Sequence, residues 1–133
     1  MRDILLDIHQ YSQQFSISQV VTFFERKGIS ISKSMIQNYV RDGLLPPPLN
    51  KRYYSHKHLA ALALIDKLKL VYDMAIIKLV LLPLMDEDGL PLELYRKIIM
   101  ESEKLSRQDD LDSLLLMVYS ADLKSEALRR FTQ

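Results

Sequence analysis

Apolar residues recur every three or four positions along most of this chain, which predicts a mainly helical protein. The first such set predicts an amphipathic helix over residues 2–14 and consists of Ile4, Ile8, Tyr11 and Phe15. A second helix, capped by Ser16 or Ser18, is expected to run to about Lys27, with Gly28 as its stop. Its inward positions are Val20, Val21, Phe23 and Phe24.

A third helix is predicted over residues 32–42, between a capping Ser32 and a terminating Gly43. Ile36 and Val40 lie four residues apart and are expected to face the core. The opposite face presents amides, hydroxyls and positive charge, and it consists of Lys33, Ser34, Gln37, Asn38 and Arg41.

The segment after this helix combines stiffness with positive charge. Three prolines at residues 46–48 cannot continue a helix and predict an extended run. The basic and aromatic cluster Lys51-Arg52-Tyr53-Tyr54 follows, and Ser55 is then the expected cap of a fourth helix. We predict a short wing over residues 46–55, in which the cations contact phosphates and at least one tyrosine packs on the core.

Asp73 is the expected N-cap of a fifth helix over residues 74–82. Prolines and acidic residues at 83–91 then interrupt the helical pattern, which predicts a solvated turn between two modules. The modules would be residues 1–85, with the N-terminal helix and the wing, and residues 86–133, an acidic helical extension for dimerisation or signal input.

Two helices are predicted in the extension, over residues 92–105 and 111–128. The second has a short, imperfect heptad seam, formed by Leu111, Leu114, Val118, Ala121, Ser125 and Leu128. Such a seam favours a homodimer through the C-terminal helices.

The charge is divided unevenly along the 133 residues, although the net charge is only +1. Residues 16–72 carry +6, residues 73–133 carry −4 and the first fifteen residues carry −1. A polyanion would therefore prefer the front of the chain.

Several classes of protein do not fit the composition. The absence of cysteine excludes disulfides and thiolate metal sites. The most apolar stretch, residues 79–85, is far shorter than the roughly 20 residues that span a bilayer, and the charged start does not fit a secretory signal. We therefore expect a cytoplasmic protein. No nucleophile with a nearby base and no phosphate-binding loop is recognisable, so an enzyme is not expected.

His56 and His58 are the two histidines that could suggest a metal. They lie two residues apart at a helix start and would point in different directions. We expect surface histidines near phosphate rather than ligands, and we predict no metal and no other cofactor.

With these features in view, residues 17–81 resemble the MerR-type winged helix-turn-helix. The resemblance rests on the segment from Tyr39 to Pro47, YVRDGLLPP, and on Arg52, Tyr54, Ser55 and Leu59 in the wing and its exit. The whole chain resembles small MerR-like proteins of Gram-positive bacteria that carry a domain of unknown function. It departs from the MerR pattern at Gln37-Asn38, where an arginine–tyrosine pair is usual, and at Pro83, which interrupts the usual dimerising helix.

The resemblance implies a sequence-specific, double-stranded DNA-binding transcriptional regulator with a recognition helix at about 32–42. Gln37 and Asn38 have amide side chains of the kind that pair with adenine, while Arg41 or Lys33 could reach guanine or phosphate. The family match adds Tyr39 and Tyr54. The predicted DNA-binding set is Lys33, Ser34, Gln37, Asn38, Tyr39, Arg41, Lys51, Arg52 and Tyr54.

An alternative is a protein–protein interaction adaptor or antitoxin-like module on a winged-helix scaffold without DNA contact. Folds are reused for unrelated functions, and the modest overall charge and the acidic helical tail fit this reading.

Overall fold

Helices account for most of the structure. The computed structural model describes residues 3–5, 14–106, 118, 120–126 and 129. Its helices are α1 (Ile17–Arg26), α2 (Lys33–Arg41), α3 (His56–Leu68), α4 (Met74–Leu81), a one-turn 3-10 helix (Leu82–Leu84) and α5 (Leu92–Ser106). Residues 120–126 are helical as well. Across these ranges β-pairing is limited to isolated bridges, so the mainly helical fold class is confirmed.

The N-caps predicted for the helices are confirmed. At α1 the Ser16 hydroxyl accepts from the Gln19 amide at 3.2 Å, and the Gln19 side chain accepts from the Ser16 amide at 2.8 Å. At α4 the Asp73 carboxylate accepts from the Ile76 amide at 3.0 Å. The same local bond is made at the other two helix starts by Ser32 and Ser55. Each bond satisfies a backbone donor that the helix leaves unpaired.

Helix α3 is the centre of the core. Its residues from His58 to Ile65 are all buried, so the helix has packing partners on every side. Phe24 of α1, Ile36 of α2 and Ile77 of α4 are buried in the same cluster. The elements on either side of the predicted wing are therefore held by one shared core.

Residues beyond the predicted module boundary also enter this core. Leu90 and Tyr95 are fully buried, and Ile99 is nearly so. All three belong to the hydrophobic cluster that contains Phe24 and Ile36. The division into modules 1–85 and 86–133 stays a prediction for the chain as a whole, but residues 90–99 pack with the front half.

Part of the predicted N-terminal helix falls within the described residues. Residues 3–5 form a turn rather than a helix, in which the Leu5 amide donates to the Asp3 carboxylate at 3.0 Å. Ile4 and Leu5 are buried in the core. Gln14, at the end of that predicted helix, is not helical either. Residues 2 and 6–13 of the predicted helix lie outside the described residues, as do Leu111, Leu114 and Leu128 of the predicted seam. None of the described helices is long and apolar enough to cross a bilayer.

Candidate nucleic-acid interface

Helix α2 is amphipathic, with the two faces that its sequence predicts. Ile36 is fully buried, and Val40 and Tyr39 are partly buried against the core. The other predicted contact residues of this helix are all exposed to solvent, namely Lys33, Ser34, Gln37, Asn38 and Arg41. The Arg41 guanidinium lies 3.3 Å from the neighbouring Asp42 carboxylate, and both side chains are largely exposed. An exposed pair of this kind is worth little and leaves Arg41 able to exchange partners.

The C-terminal end of α2 is held at two points. The Tyr39 carbonyl accepts hydrogen bonds from the backbone amides of Leu44 and Leu45, at 2.9 and 3.1 Å. Lys78 of α4 reaches across and donates to the Asp42 carbonyl at 2.8 Å. These bonds use carbonyls that the helix end leaves unpaired. They fix the exposed face of α2 relative to the core.

The predicted wing is a tight hairpin. Leu49 and Tyr53 exchange two backbone hydrogen bonds, of 2.6 and 3.0 Å. Asn50 and Lys51 at its tip have φ values of 53° and 63°. Asparagine tolerates this left-handed region, but lysine does so at a cost. Lys51 and Arg52 are both exposed.

The hairpin is joined to the core through Tyr54. Its backbone exchanges hydrogen bonds of 2.8 and 2.9 Å with Phe15, in an antiparallel bridge. The Tyr54 side chain is only 5% exposed, and its ring meets that of His58 edge-on at 5.2 Å between centroids. Burial raises its pKa. Tyr54, a predicted DNA-contact residue, is therefore buried and not available to DNA. The adjacent Tyr53 is partly exposed.

His58 is not the surface histidine that the sequence predicts; it is fully buried. The Ser55 amide donates to its Nδ1 at 3.0 Å, so Nδ1 is the acceptor nitrogen and Nε2 carries the proton. Nε2 lies 3.2 Å from the carbonyls of both Pro46 and Pro47. One imidazole therefore completes the capping box of α3 and holds the proline run.

Acid is expected to destabilise the protein through His58. Burial lowers the pKa of His58 below the ordinary value of 6.5. The carbonyls of Pro47 and Pro46 and the charges of Asp88 and Asp86 act in the opposite direction, but burial is the largest cause. The unfolded chain then takes up a proton more readily than the folded one. The free energy of unfolding should fall as the pH drops below about 6.5. Urea denaturation between pH 7.5 and 5 measures this slope.

A substitution isolates the contribution of His58. Glutamine at this third helical position can still accept from the Ser55 amide, and it does not titrate. His58→Gln should flatten the slope between pH 7.5 and 5 relative to the parent chain. An unchanged slope in this variant would contradict the assignment. Asp86, whose pKa is lowered by Lys57, titrates below this window.

The basic residues of the front half differ in their partners. Lys57 donates to Asp86 at 2.8 Å, and Lys69 lies 3.3 Å from Asp66. Among the described residues, the cations at the start of α2 and at the hairpin tip make no ion pair; they are Lys33, Lys51 and Arg52. An anionic partner could pair with these charges without displacing any described carboxylate.

The contact between the acidic turn and the start of α3 is not predicted by the sequence. Besides the Lys57–Asp86 pair, the Leu90 amide donates to the Lys57 carbonyl at 3.1 Å. The acidic residues thus lie beside the exit of the hairpin. Within the described ranges, no cluster of three or more histidine, aspartate or glutamate side chains could hold a metal ion.

The fold and this exposed surface define a small helical domain. The chain belongs to the family DUF1836, a domain of unknown function, whose model matches residues 7–98. Comparison with curated proteins and with solved structures finds no match. The predicted membership in a group with a domain of unknown function is confirmed, and the relation to MerR-type proteins stays a prediction. The match continues past residue 85, as does the core.

Proposed function

We propose that this protein is a sequence-specific, double-stranded DNA-binding transcriptional regulator. The observation that carries the proposal is the exposed set of amides, hydroxyls and cations on α2, together with the exposed cations at the hairpin tip, which make no ion pair with a described residue. Amide and guanidinium side chains on one helix face suit the donor and acceptor pattern of the major groove. Cations at a hairpin tip suit phosphates.

In the proposed complex α2 enters the major groove. Gln37 and Asn38 read base edges, and Arg41 or Lys33 reaches guanine or a phosphate. Lys51 and Arg52 contact the flanking backbone, which positions the helix without reading sequence. Tyr39 and Tyr54 support this surface from below, because one is partly and the other fully packed in the core.

The dependence of affinity on salt tests the proposal. If Lys33, Lys51 and Arg52 each neutralise one phosphate, the logarithm of the association constant should fall linearly with the logarithm of the salt concentration. The expected slope is about −2.7 per protomer. Fluorescence anisotropy with a labelled duplex of mixed sequence, between 50 and 200 mM salt, gives this slope. A slope near zero would refute DNA binding through this surface.

Lys51→Gly separates charge from folding. The substitution removes one cation and also relieves the left-handed backbone, so the free energy of unfolding should rise by about 0.5–1 kcal/mol. Affinity for every duplex should nevertheless fall, and the magnitude of the salt slope should drop by about 0.9. Lys97→Ala, which removes an exposed lysine of α5, is the matched control and should leave the affinity and the salt slope unchanged.

Sequence preference tests the role of α2 separately. Selection of sites from a random duplex pool should give a motif that broadens in Gln37→Ala and Arg41→Ala, because each lost base contact is worth about 1–3 kcal/mol. Lys51→Gly should weaken binding and leave the motif unchanged. A motif that persists in both α2 variants would place base recognition elsewhere.

We further propose a homodimer through the C-terminal helices. Val118, Ala121 and Ser125 of the predicted seam are exposed, and Val118 is an apolar residue with about half of its side chain in solvent. A helical seam of this spacing suits a second copy of itself. Light scattering of the full chain over a range of concentrations measures the oligomeric state.

The alternative, a protein-interaction module, is supported by a second exposed surface. Leu70 and Val71, at the turn between α3 and α4, are 72% and 66% exposed. Exposed apolar side chains that cluster are typical of interaction sites. Purification from the native host discriminates the two functions. Nucleic acid with high absorbance at 260 nm favours DNA binding, and a stoichiometric protein partner favours the alternative.

A further inference from the structure

An apolar pocket lies apart from α2 and the hairpin, neither of which contributes a lining residue. Its volume is about 450 Å³. The end of α3, the helix α4 with the 3-10 turn after it, and the helical segment 120–126 form its walls, with Leu68, Tyr72, Ile77, Val80, Leu84 and Leu123 among the lining residues. Small-molecule sites commonly measure roughly 300–1,000 Å³ and are mostly apolar. The size and lining therefore suit a small molecule with an apolar body.

Two charged residues, Lys124 and Glu126, stand in the pocket lining. Glu126 is paired with Arg129, one turn further along the helix, so its charge is compensated. The Lys124 ammonium lies 5.9 Å from the centroid of the Tyr72 ring, and it makes no ion pair with another described residue. Among the described lining residues, the charge left without an ion-pair partner is therefore the positive charge of Lys124.

The geometry of residues 118–126 separates this pocket from the predicted dimer seam. At 3.6 residues per turn, Val118, Ala121 and Ser125 share one side of the helix. Leu123 and Glu126, which line the pocket, lie toward the other side, and Lys124 lies between the two sides. A second copy seated on the seam would leave the apolar wall at Leu123 uncovered. The occupant is then more simply a small molecule than another protein chain.

We propose that this pocket binds an amphipathic monoanion, in which an unbranched alkyl chain fills the apolar walls and a single carboxylate pairs with Lys124. The apolar lining provides the affinity, because every methylene transferred from water contributes favourably. Lys124 provides the selectivity for a negative head group. This proposal is independent of DNA binding, since it concerns residues that α2 and the hairpin do not contain.

The test uses the full-length chain and alkyl carboxylates below their micellar concentrations. Isothermal titration with octanoate, decanoate and dodecanoate should show one site per chain, with affinity rising about fourfold for each fully buried methylene. Lys124→Ala should weaken dodecanoate binding by about threefold to tenfold and change dodecanol binding by less than about twofold. Lys104→Ala, which changes an exposed lysine of α5 that pairs with Glu101, is the matched control and should bind like the parent.

Four outcomes decide the proposal. Saturable binding that depends on chain length and on Lys124 supports it. Binding that Lys104→Ala weakens as much as Lys124→Ala overturns it, as does the absence of saturation. A concentration-dependent dimer that Leu123→Asp dissociates, with no carboxylate bound, also overturns it and assigns the pocket to a second copy. Because Lys124 and Leu123 are exposed, we expect each variant to keep its helices. Circular dichroism of each variant checks this.

Discussion

Replacing Gly89 with alanine is expected to lower the free energy of unfolding by about 3 kcal/mol or more, the largest effect of any single methyl addition that we predict here. A Cβ at this position would lie 2.6 Å from the carbonyl carbon and oxygen of Lys57 and 2.9 Å from the His58 amide nitrogen. All three are backbone atoms at the start of α3 and cannot rotate away. The φ of 126° at Gly89 is itself unfavourable for any other residue.

Gly28→Ala is the matched control for this prediction. Gly28 also has a positive φ, 78°, but a Cβ there would meet nothing within 4 Å. Only the backbone cost remains, about 1 kcal/mol. Urea denaturation of the two variants should therefore give clearly different midpoints. Similar midpoints would mean that the turn at residues 86–89 does not pack against α3.

Tyr95→Ala is expected to cost about 4 kcal/mol, because a fully buried aromatic ring would be replaced by a cavity. The prediction also tests how far the core extends. Tyr95 shares a cluster with Phe24 of α1 and Leu62 of α3, although it lies beyond the boundary that the sequence predicts. Hydrogen exchange should therefore accelerate in α1 and α3 as well as in α5. Faster exchange confined to α5 would mean that residues 86–106 unfold as a separate unit.

Tyr95→Phe should behave in the opposite way. The Tyr95 hydroxyl is buried, and it makes no hydrogen bond of normal geometry within the described part of the chain. Burial, with a further contribution from the Asp3 carboxylate, raises the pKa of Tyr95 to about 12, and the nearby Ile4 backbone amide and Arg96 oppose this shift. Removing a buried hydroxyl that has no well-formed hydrogen bond should leave the free energy of unfolding unchanged or raise it by up to about 1 kcal/mol. A loss above about 1 kcal/mol would indicate that the hydroxyl has a stabilising partner.

The exposed surface of α2 could be predicted from the sequence because it depends on helical periodicity alone. Ile36 and Val40, four residues apart, share the stripe that faces the core, and Lys33, Gln37 and Arg41, also four apart, share a second stripe. All three residues of the second stripe are exposed. The order of helix, proline run and basic cluster likewise follows from local chemistry.

The sequence could not predict which aromatic and titratable residues of the hairpin would be buried. Tyr53 and Tyr54 are adjacent and identical in type, yet the second is packed on His58 and the first is half exposed. The choice depends on the bridge to Phe15, some forty residues earlier in the chain. His58 is buried because the carbonyls of Pro46 and Pro47 fold back over α3.

By itself, then, the sequence determined helices α1 to α5, the serine and aspartate caps of α1 to α4 and the polar face of α2. These depend on bonds and spacings within a few residues, which the order of side chains fully specifies. Only the tertiary structure decided that His58 and Tyr54 are internal and that the acidic turn at 86–89 packs on the start of α3. Those contacts join residues far apart in the chain; Ser55 and Asp88, for example, are 33 positions apart. Which residues pair depends on how the helices share one core. Bringing together residues that are far apart in the chain costs conformational entropy, and the burial of apolar surface from both segments offsets that cost.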